Sequence, residues 1–579
     1  MRELYADAEP GSNKTPQNLI ARMNDQVESG MRSRPVRLAG IFLVILTGIF
    51  LRIYLIATPN ALPFNSDEAV VGLMARHILS GERPIFFYGQ AYMGSLDAFL
   101  VAAGFVLFGQ KVWVIRLVQV ILSAGVVWMT YLIARELFHS SAAGWAAAAL
   151  VVLPPVNTLL YTTVSLGGYT EAILIGEMSI FCAMRIASYL KPGNNNISDN
   201  LMRNPIPRLC FLCGFLTGLG FWAFGLTLIY TIPVWLYLII CFVRNRKDHK
   251  NLIWIFPAVM VIGAALGMTP VWFYIEKNGI WTLVSELTGS AVAVNPNGWL
   301  LTVLEHIRNL LLLGTTALFG FRPPWGVTWL AIGMIPFVLM IWGYFLYQFI
   351  KPGIRSEKKN GIWMLYGTGI VLILAFVFSS FGNDPSGRYF VPLYTTLAIL
   401  TGGLFSIEIG TKRGILTVLL GVLLVYHLCG IAQCIQSTPP GLTTQFDEVA
   451  QVDHQSMPEL IQFLKDNHEE RGYTNYWVAY PLAFLSEEEI IFAPRLPYHA
   501  DLRYTVRDDR YPPYDTAVTS SAKTAYITTK NPALDNALVN GFRQKGIQWR
   551  EKIIGDYHIY YQLSAVVQPA ELGIGEALP

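Results

Sequence analysis

Apolar runs and polar gaps alternate along most of the chain. A membrane-spanning helix needs about 20 mostly apolar residues. Runs of that kind recur near 38–58, 115–135, 142–161, 168–190, 209–225, 226–243, 252–273, 326–350, 362–381, 389–409 and 413–435, about eleven in all. Gly225 and Pro233 are the breakers within 209–243. In 66–80 the period changes: Val70, Val71, Met74, Ile78 and Leu79 recur at helical spacing, while Asp67, Glu68, Arg76 and His77 fall off that stripe. This predicts an amphipathic helix on the membrane surface, N-capped by Ser66. Gly94–Phe108 is apolar but short for a span, and 299–313 sets Glu305, His306 and Arg308 among leucines. Both read as further interfacial helices.

From about 441 the pattern turns polar and rich in Tyr, Asp and Arg. Residues 458–470 and 533–545 read as helices, and Trp477–Tyr480, Glu489–Phe492, Thr524–Thr529 and His558–Gln562 as strands. That is a small α/β domain, large enough for its own core. The expected organisation is a polar tail 1–35, a membrane domain 36–435 with its first outer loop at 59–114, and the α/β domain 441–579.

Composition agrees with the membrane reading. Of 579 residues, 53% are hydrophobic and 14% charged, against about 25% charged in soluble domains. This excludes a disordered chain, a cytosolic enzyme and a disulfide scaffold. The net charge of +3 favours neither nucleic acid nor an acidic partner. All six cysteines lie in or beside apolar runs; Cys210 and Cys213 form a C-x-x-C with no second pair, so they read as packing residues and no metal site is expected.

Basic residues set the expected orientation. Arg32, Arg34 and Arg37, then Arg135, then Lys191, Arg203 and Arg208, then Arg244, Arg246, Lys247 and Lys250 fall on alternate connections. Lys351, Arg355, Lys358 and Lys359, then Lys412 and Arg413 continue the series. By the positive-inside rule the N-terminus is cytoplasmic and the α/β domain lies outside. The polar stretch before the first span is too long for a signal n-region, so that span is read as an anchor.

Several polar positions sit at the outer boundary with no topological task. Asp67 and Glu68 open the 66–80 helix, where the dipole favours ionised carboxylates, the form a general base needs. Arg388 and Tyr389, in Asn383-Asp384-Pro385-Ser386-Gly387-Arg388-Tyr389, begin a span; a guanidinium there can grip phosphate in bidentate fashion, and the same pair also suits a lipid headgroup region. Arg322 is a second cation of this kind. Tyr169 and Glu171 open another span, where a carboxylate requires a partner or a cavity. Tyr498, His499, Arg503, Tyr504, Tyr511 and Tyr514 form an aromatic and basic stretch suited to stacking on sugars.

The series Asp67-Glu68-Ala69, Gly81-Glu82-Arg83-Pro84, Tyr88–Leu96, Phe108-Gly109 and Arg135-Glu136-Leu137-Phe138 resembles integral-membrane glycosyltransferases of the GT-C fold, in the protein O-mannosyltransferase and aminoarabinose-transferase superfamily. The resemblance runs over about 36–435. It implies a polytopic helical enzyme that moves a sugar from a polyprenyl-phosphate donor to an extracytoplasmic glycan, lipid or protein, with inversion and without a cofactor. It implies Asp67 as the catalytic base; Glu68, Glu171, Tyr169 and Tyr92 as acceptor or sugar contacts; and Arg388, Tyr389 and Arg322 at the donor phosphate. The aminoarabinose branch carries a Lys-Pro pair that Tyr88–Leu96 lacks, so the acceptor stays open. The other classes are a lipid-linked sugar flippase, which tends to carry inverted repeats and midplane sites, and a non-catalytic glycan-binding scaffold.

Overall fold

The computed structural model describes residues 39–190, 205–245, 254–288, 298–351, 361–407, 411–437, 441–499, 502–575 and 577–578. The tail 1–35 lies outside them, as do Arg32, Arg34, Arg37, Lys191, Arg203, Arg246, Lys247, Lys250, Arg355, Lys358 and Lys359.

Helix α1 (Ala39–Ala57) leads into a loop carrying α2 (Ser66–Leu79), a hairpin of β1 (Phe86–Phe87) and β2 (Gln90–Gly94), and α3 (Leu96–Phe108). There follow α4 (Val112–Leu137), α5 (Ser141–Val152), α6 (Val156–Tyr161), α7 (Tyr169–Tyr189), α8 (Pro205–Ala223), α9 (Leu228–Arg244), α10 (Ile255–Gly267) and α11 (Thr269–Asn278). A second long loop holds α12 (Ile280–Leu287), α13 (Trp299–Asn309) and α14 (Thr315–Leu318), before α15 (Ile335–Ile350), α16 (Ile362–Phe378), α17 (Val391–Ile407) and α18 (Thr411–Ile435).

Among the described residues eight helices are long and apolar enough to cross a bilayer, nine if the α10–α11 pair, bent by 64°, is one span. The expected span 142–161 is two helices, because Pro154 and Pro155 can neither donate to the preceding turn nor fit against it. Pro233 lies inside α9 without ending it, whereas the chain does turn at Gly225. The two G-x-x-x-G runs form one seam between α8 and α10: a Cβ at Gly214 would meet the Met260 carbonyl at 2.0 Å, and one at Gly263 the Phe211 carbonyl at 2.4 Å. Small residues let the backbones touch. Followed along these helices, Arg135, Arg244, Lys351 and Arg413 gather at one end of the bundle. The two long loops and Arg388 gather at the other.

The C-terminal region contains α19 (Met457–Asp466), β3 (Arg471–Tyr473), α20 (Tyr476–Leu485), β4 (Ile491–Ala493), β5 (Tyr504–Thr505), α21 (Pro512–Thr519), β6 (Ala525–Thr529), α22 (Pro532–Gln544), β7 (Arg550–Ile554) and β8 (Tyr557–Tyr561). Its five-stranded sheet has the order β4-β3-β6-β8-β7; β4, β3 and β6 are parallel, and β8 and β7 antiparallel. The expected strand Trp477–Tyr480 is part of α20. Asn475 caps that helix by accepting from the Trp477 N–H at 3.0 Å, and Tyr476 through Phe484 are all buried. Burial on every side removes the polar stripe that would have marked a helix.

The position of α20 also revises the reading of α2. Instead of lying half-immersed on a bilayer, α2 is enclosed between α3, α4 and α20, with Glu68 and His77 buried as well as its apolar residues. A Cβ at Gly72 would meet the Phe484 ring at 2.7 Å. The polar positions that suggested a wet face are instead taken up by Arg116 and by Glu488.

Candidate active site

Asp67 sits in the first turn of α2, which Asn65 caps by accepting from the Glu68 N–H at 3.0 Å. Successive helical residues point about 100° apart, and here this sends two adjacent carboxylates to different fates. Glu68 turns inward and is fully buried, bound bidentately by Arg116 at 2.8 and 2.9 Å. Burial alone raises its pKa more than Arg116 lowers it. Arg116 also donates to the Pro63 carbonyl at 3.3 Å, so the pair ties α4 to the start of the loop.

Asp67 stays partly exposed, and its Oδ1 accepts from the Tyr476 hydroxyl at 2.6 Å. Ser66 donates to the Tyr476 carbonyl at 2.5 Å, so the start of α20 is pinned to the start of α2. Beside Tyr476 lies Arg510, its guanidinium 5.2 Å from the Tyr476 ring centre and 6.0 Å from that of Phe87. With its amide oxygen turned that way, Gln90 accepts from Arg510 at 2.9 and 3.0 Å. Asp508 completes this wall; burial pushes its carboxyl up to about 7, with Arg510 pulling down and Asp67 pushing up.

The opposite wall is built on the 384–389 loop. Asp384 accepts from the Ser386 N–H at 2.9 Å and from its hydroxyl, and Gly387 takes a φ of +80°. That turn presents Arg388, which pairs with Asp384 at 2.7 Å. Arg388 Nε has no hydrogen-bond partner among the described residues. Tyr92 is buried between the walls, near Arg388, Arg510 and Asp67 alike; burial raises its hydroxyl despite both cations. Tyr161 likewise lies near both Arg388 and Asp67. Tyr169 packs edge-on to Phe224 at 5.0 Å, and Tyr389 edge-on to Phe381 at 4.8 Å.

Below this polar chamber runs a groove of about 280 Å³ between α9 and α16, with Tyr92 and Tyr389 at its head. Ile229, Ile232, Val371, Leu372 and Phe376 line its length. The lining is apolar, and Ile232 and Phe378 are exposed on the outer surface of the bundle.

Two further residues expected at this site are engaged by other parts of the protein. All five N–H groups of Arg322 are spent on Thr316 Oγ1 and on the carbonyls of Pro323, Gly326, Leu313 and Pro385. No donor is left for a phosphate, so Arg322 ties the second outer loop to the 384–389 loop. Glu171 is buried beside Asp97, sharing the Gln119 amide with it at 3.1 and 3.0 Å. A carboxylate at the lipid boundary needs such partners, and those of Glu171 are Gln119 and Asp97, on α4 and α3. Tyr476, Asp508 and Arg510 were not anticipated individually, although Asp508 and Arg510 fall inside the aromatic and basic stretch 498–514. Among the described residues no three His, Cys, Asp or Glu side chains stand close enough to hold a metal ion.

Residues 95–190, from the start of α3 to the end of α7, match the family model of dolichyl-phosphate-mannose-protein mannosyltransferases. ArnT from Cupriavidus metallidurans bound to undecaprenyl phosphate superposes over 92% of this chain and 99% of its own, with a TM-score of 0.57 and 12% identity. The chain has the GT-C fold. Apo ArnT gives a TM-score of 0.54 at 12% identity, over 93% of this chain and 100% of ArnT. The apo oligosaccharyltransferase of Archaeoglobus fulgidus gives 0.48 at 12% identity, over 86% of this chain and 70% of that one. A comparison with curated protein sequences finds no match. In this chain the Asp67 loop meets the α/β domain through Tyr476, and Tyr92 lies near both Asp67 and Arg388 of the 384–389 loop.

Proposed function

We propose that this GT-C protein is an inverting glycosyltransferase that moves a hexosyl or pentosyl unit from a polyprenyl-phosphate donor to an acceptor hydroxyl on the extracytoplasmic side. One observation carries the reading. A partly exposed carboxylate, Asp67, and a guanidinium with a spare donor, Arg388, both lie near Tyr92, which stands at the head of an apolar groove. The groove suits an isoprenoid tail, and Arg388 suits the phosphate at its end. Tyr389 and Tyr92 flank that phosphate.

The chemistry follows from the two groups. Asp67 takes the proton from the acceptor hydroxyl as its oxygen attacks the anomeric carbon. The bond from that carbon to the phosphate oxygen breaks, and Arg388 holds the charge that develops on the phosphate. One displacement gives one inversion. Tyr476 holds Asp67 in register through its 2.6 Å bond. The basic ends of the helices, opposite the chamber, support an orientation with the chamber outside the cytoplasm.

Purified protein in lipid nanodiscs, supplied with a panel of polyprenyl-phosphate sugars and reducing-end glycan acceptors, tests this. The expected result is release of polyprenyl phosphate and a product of inverted anomeric configuration by NMR. A retained configuration, or movement of intact sugar-lipid between leaflets without cleavage, would overturn the proposal.

A further inference from the structure

A second concave site lies in the α/β domain, outside the chamber. It is a pocket of about 200 Å³ lined by Tyr473, Arg495, Tyr504, Asp515, Thr519 and Gln568. The residue positions follow from the sheet. Tyr473 ends β3 and Arg495 follows β4, so both stand at the carboxyl ends of parallel strands, where open α/β sheets leave a crevice for ligands. Pro569, Ala570, Ile574 and Gly575 close the far side.

The chemistry of the lining narrows the ligand. Arg495 is held by Asp515 through two 2.7 Å contacts and by the Tyr504 hydroxyl at 2.5 Å, with Asp509 at 3.8 Å. Two carboxylates around one guanidinium leave the pocket negative, which rejects phosphate and other anions. Tyr473 is 1% exposed, and its hydroxyl has no hydrogen-bond partner among the described residues. A buried hydroxyl without a partner is costly, and the Tyr473 side chain that carries it lines the pocket. Tyr rings, a carboxylate and a spare hydroxyl around a space for roughly six or seven waters suit one neutral or amine-bearing sugar ring.

The pocket is also joined to the chamber. Asp508 and Asp509 are adjacent, yet Asp508 interacts with Arg510 and Asp67 whereas Asp509 interacts with Arg495 and Asp515. The 504–510 strap therefore has the chamber on one side and the pocket on the other.

We propose that this pocket is a carbohydrate subsite that binds a sugar unit of the acceptor, set back from the unit that reacts. Calling that sugar part of an acceptor rests on the glycosyltransferase reading; the binding itself does not. The test is saturation-transfer NMR on the full-length protein in nanodiscs, with mannose, galactose, arabinose and N-acetylglucosamine as probes. At least one should receive saturation, its affinity about tenfold weaker in Tyr473→Phe through one lost hydrogen bond. Ala570→Trp, which fills the pocket from its rim, should abolish the signal while release of polyprenyl phosphate from a donor continues. No signal from any probe, or one that survives Ala570→Trp, would overturn the subsite. Sugar binding that depends on Tyr473 in a protein that cleaves no donor would instead leave the subsite standing and remove the glycosyltransferase reading.

Discussion

Replacing Glu68 by Gln keeps its shape and removes one charge from a pair that is almost wholly enclosed: Glu68 is 0% exposed and Arg116 5%. The two contacts, at 2.8 and 2.9 Å, are the fork geometry of a guanidinium on a carboxylate. Charges about 4 Å apart attract by about 4 kcal/mol at an effective dielectric of 20, and breaking one half of a buried pair costs about 3–5 kcal/mol. Glu68→Gln and Arg116→Met should therefore each lower the unfolding free energy by about 3 kcal/mol. The double variant should lose no more than either single one, a coupling of about 3 kcal/mol. Urea titration in detergent micelles, followed by tryptophan fluorescence, measures all four corners of the cycle. Strictly additive losses would refute the pair as the brace of the Asp67 loop. The same double variant separates bracing from contact with the acceptor. If Glu68 only braces, the folded double variant keeps cleaving donor and transferring sugar; a stable double variant that cleaves but cannot transfer would return Glu68 to the acceptor.

Further predictions concern the two walls of the chamber and the domain contact. Arg322→Met removes five hydrogen bonds and should cost more than about 3 kcal/mol, while the folded fraction binds polyprenyl phosphate as tightly as wild type by microscale thermophoresis. Burial raises Asp508 to about 7, so the folded state holds its proton more tightly than the unfolded state does, near 3.9. The stability this adds is present below about pH 4 and is lost as pH rises through about 7; Asp508→Asn should remove that pH-dependent difference in urea titrations. Glu488 has the opposite sign. His77, Tyr514 and Arg76 hold it down at about 2, so its contribution is present above about pH 4.3 and lost as pH falls through about 2. At pH 7, Glu488→Gln should loosen the contact between α2 and the α/β domain by about 2 kcal/mol after allowance for solvent screening, seen as faster hydrogen exchange in α20 and α21.

A bundle of spanning helices was legible because span length is set by the bilayer itself and is written in residue order, although about eleven runs were expected and eight or nine helices are long and apolar enough among the described residues. What could not be read was whatever the α/β domain does to the loops. Residues 66–80 have an amphipathic pattern whether their polar side meets water or protein, and α20 decides which. The helical state of α20 was hidden because its residues are buried on every side, leaving no periodicity to detect. The short strand β3 and the mostly exposed β7 carry too little alternation to stand out. At the site, Asp67 and Arg388 were visible as charges without a topological task. Arg322 and Glu171 looked the same, and only the structure shows that Arg322 is spent on five acceptors while Glu171 shares the Gln119 amide with Asp97. Tyr476 gave no signal, since its contact with Asp67 spans 409 positions of sequence.

The central claim divides two tasks between two residues: Arg388 holds the phosphate and Asp67 drives the displacement. The most direct measurement is polyprenyl phosphate affinity alongside single-turnover cleavage of a polyprenyl-phosphate sugar, for wild type, Asp67→Asn and Arg388→Ala. The account predicts that Asp67→Asn binds like wild type but cleaves at least about a hundredfold more slowly, whereas Arg388→Ala loses both binding and cleavage. Wild-type cleavage by Asp67→Asn, or unchanged lipid-phosphate affinity in Arg388→Ala, would contradict it.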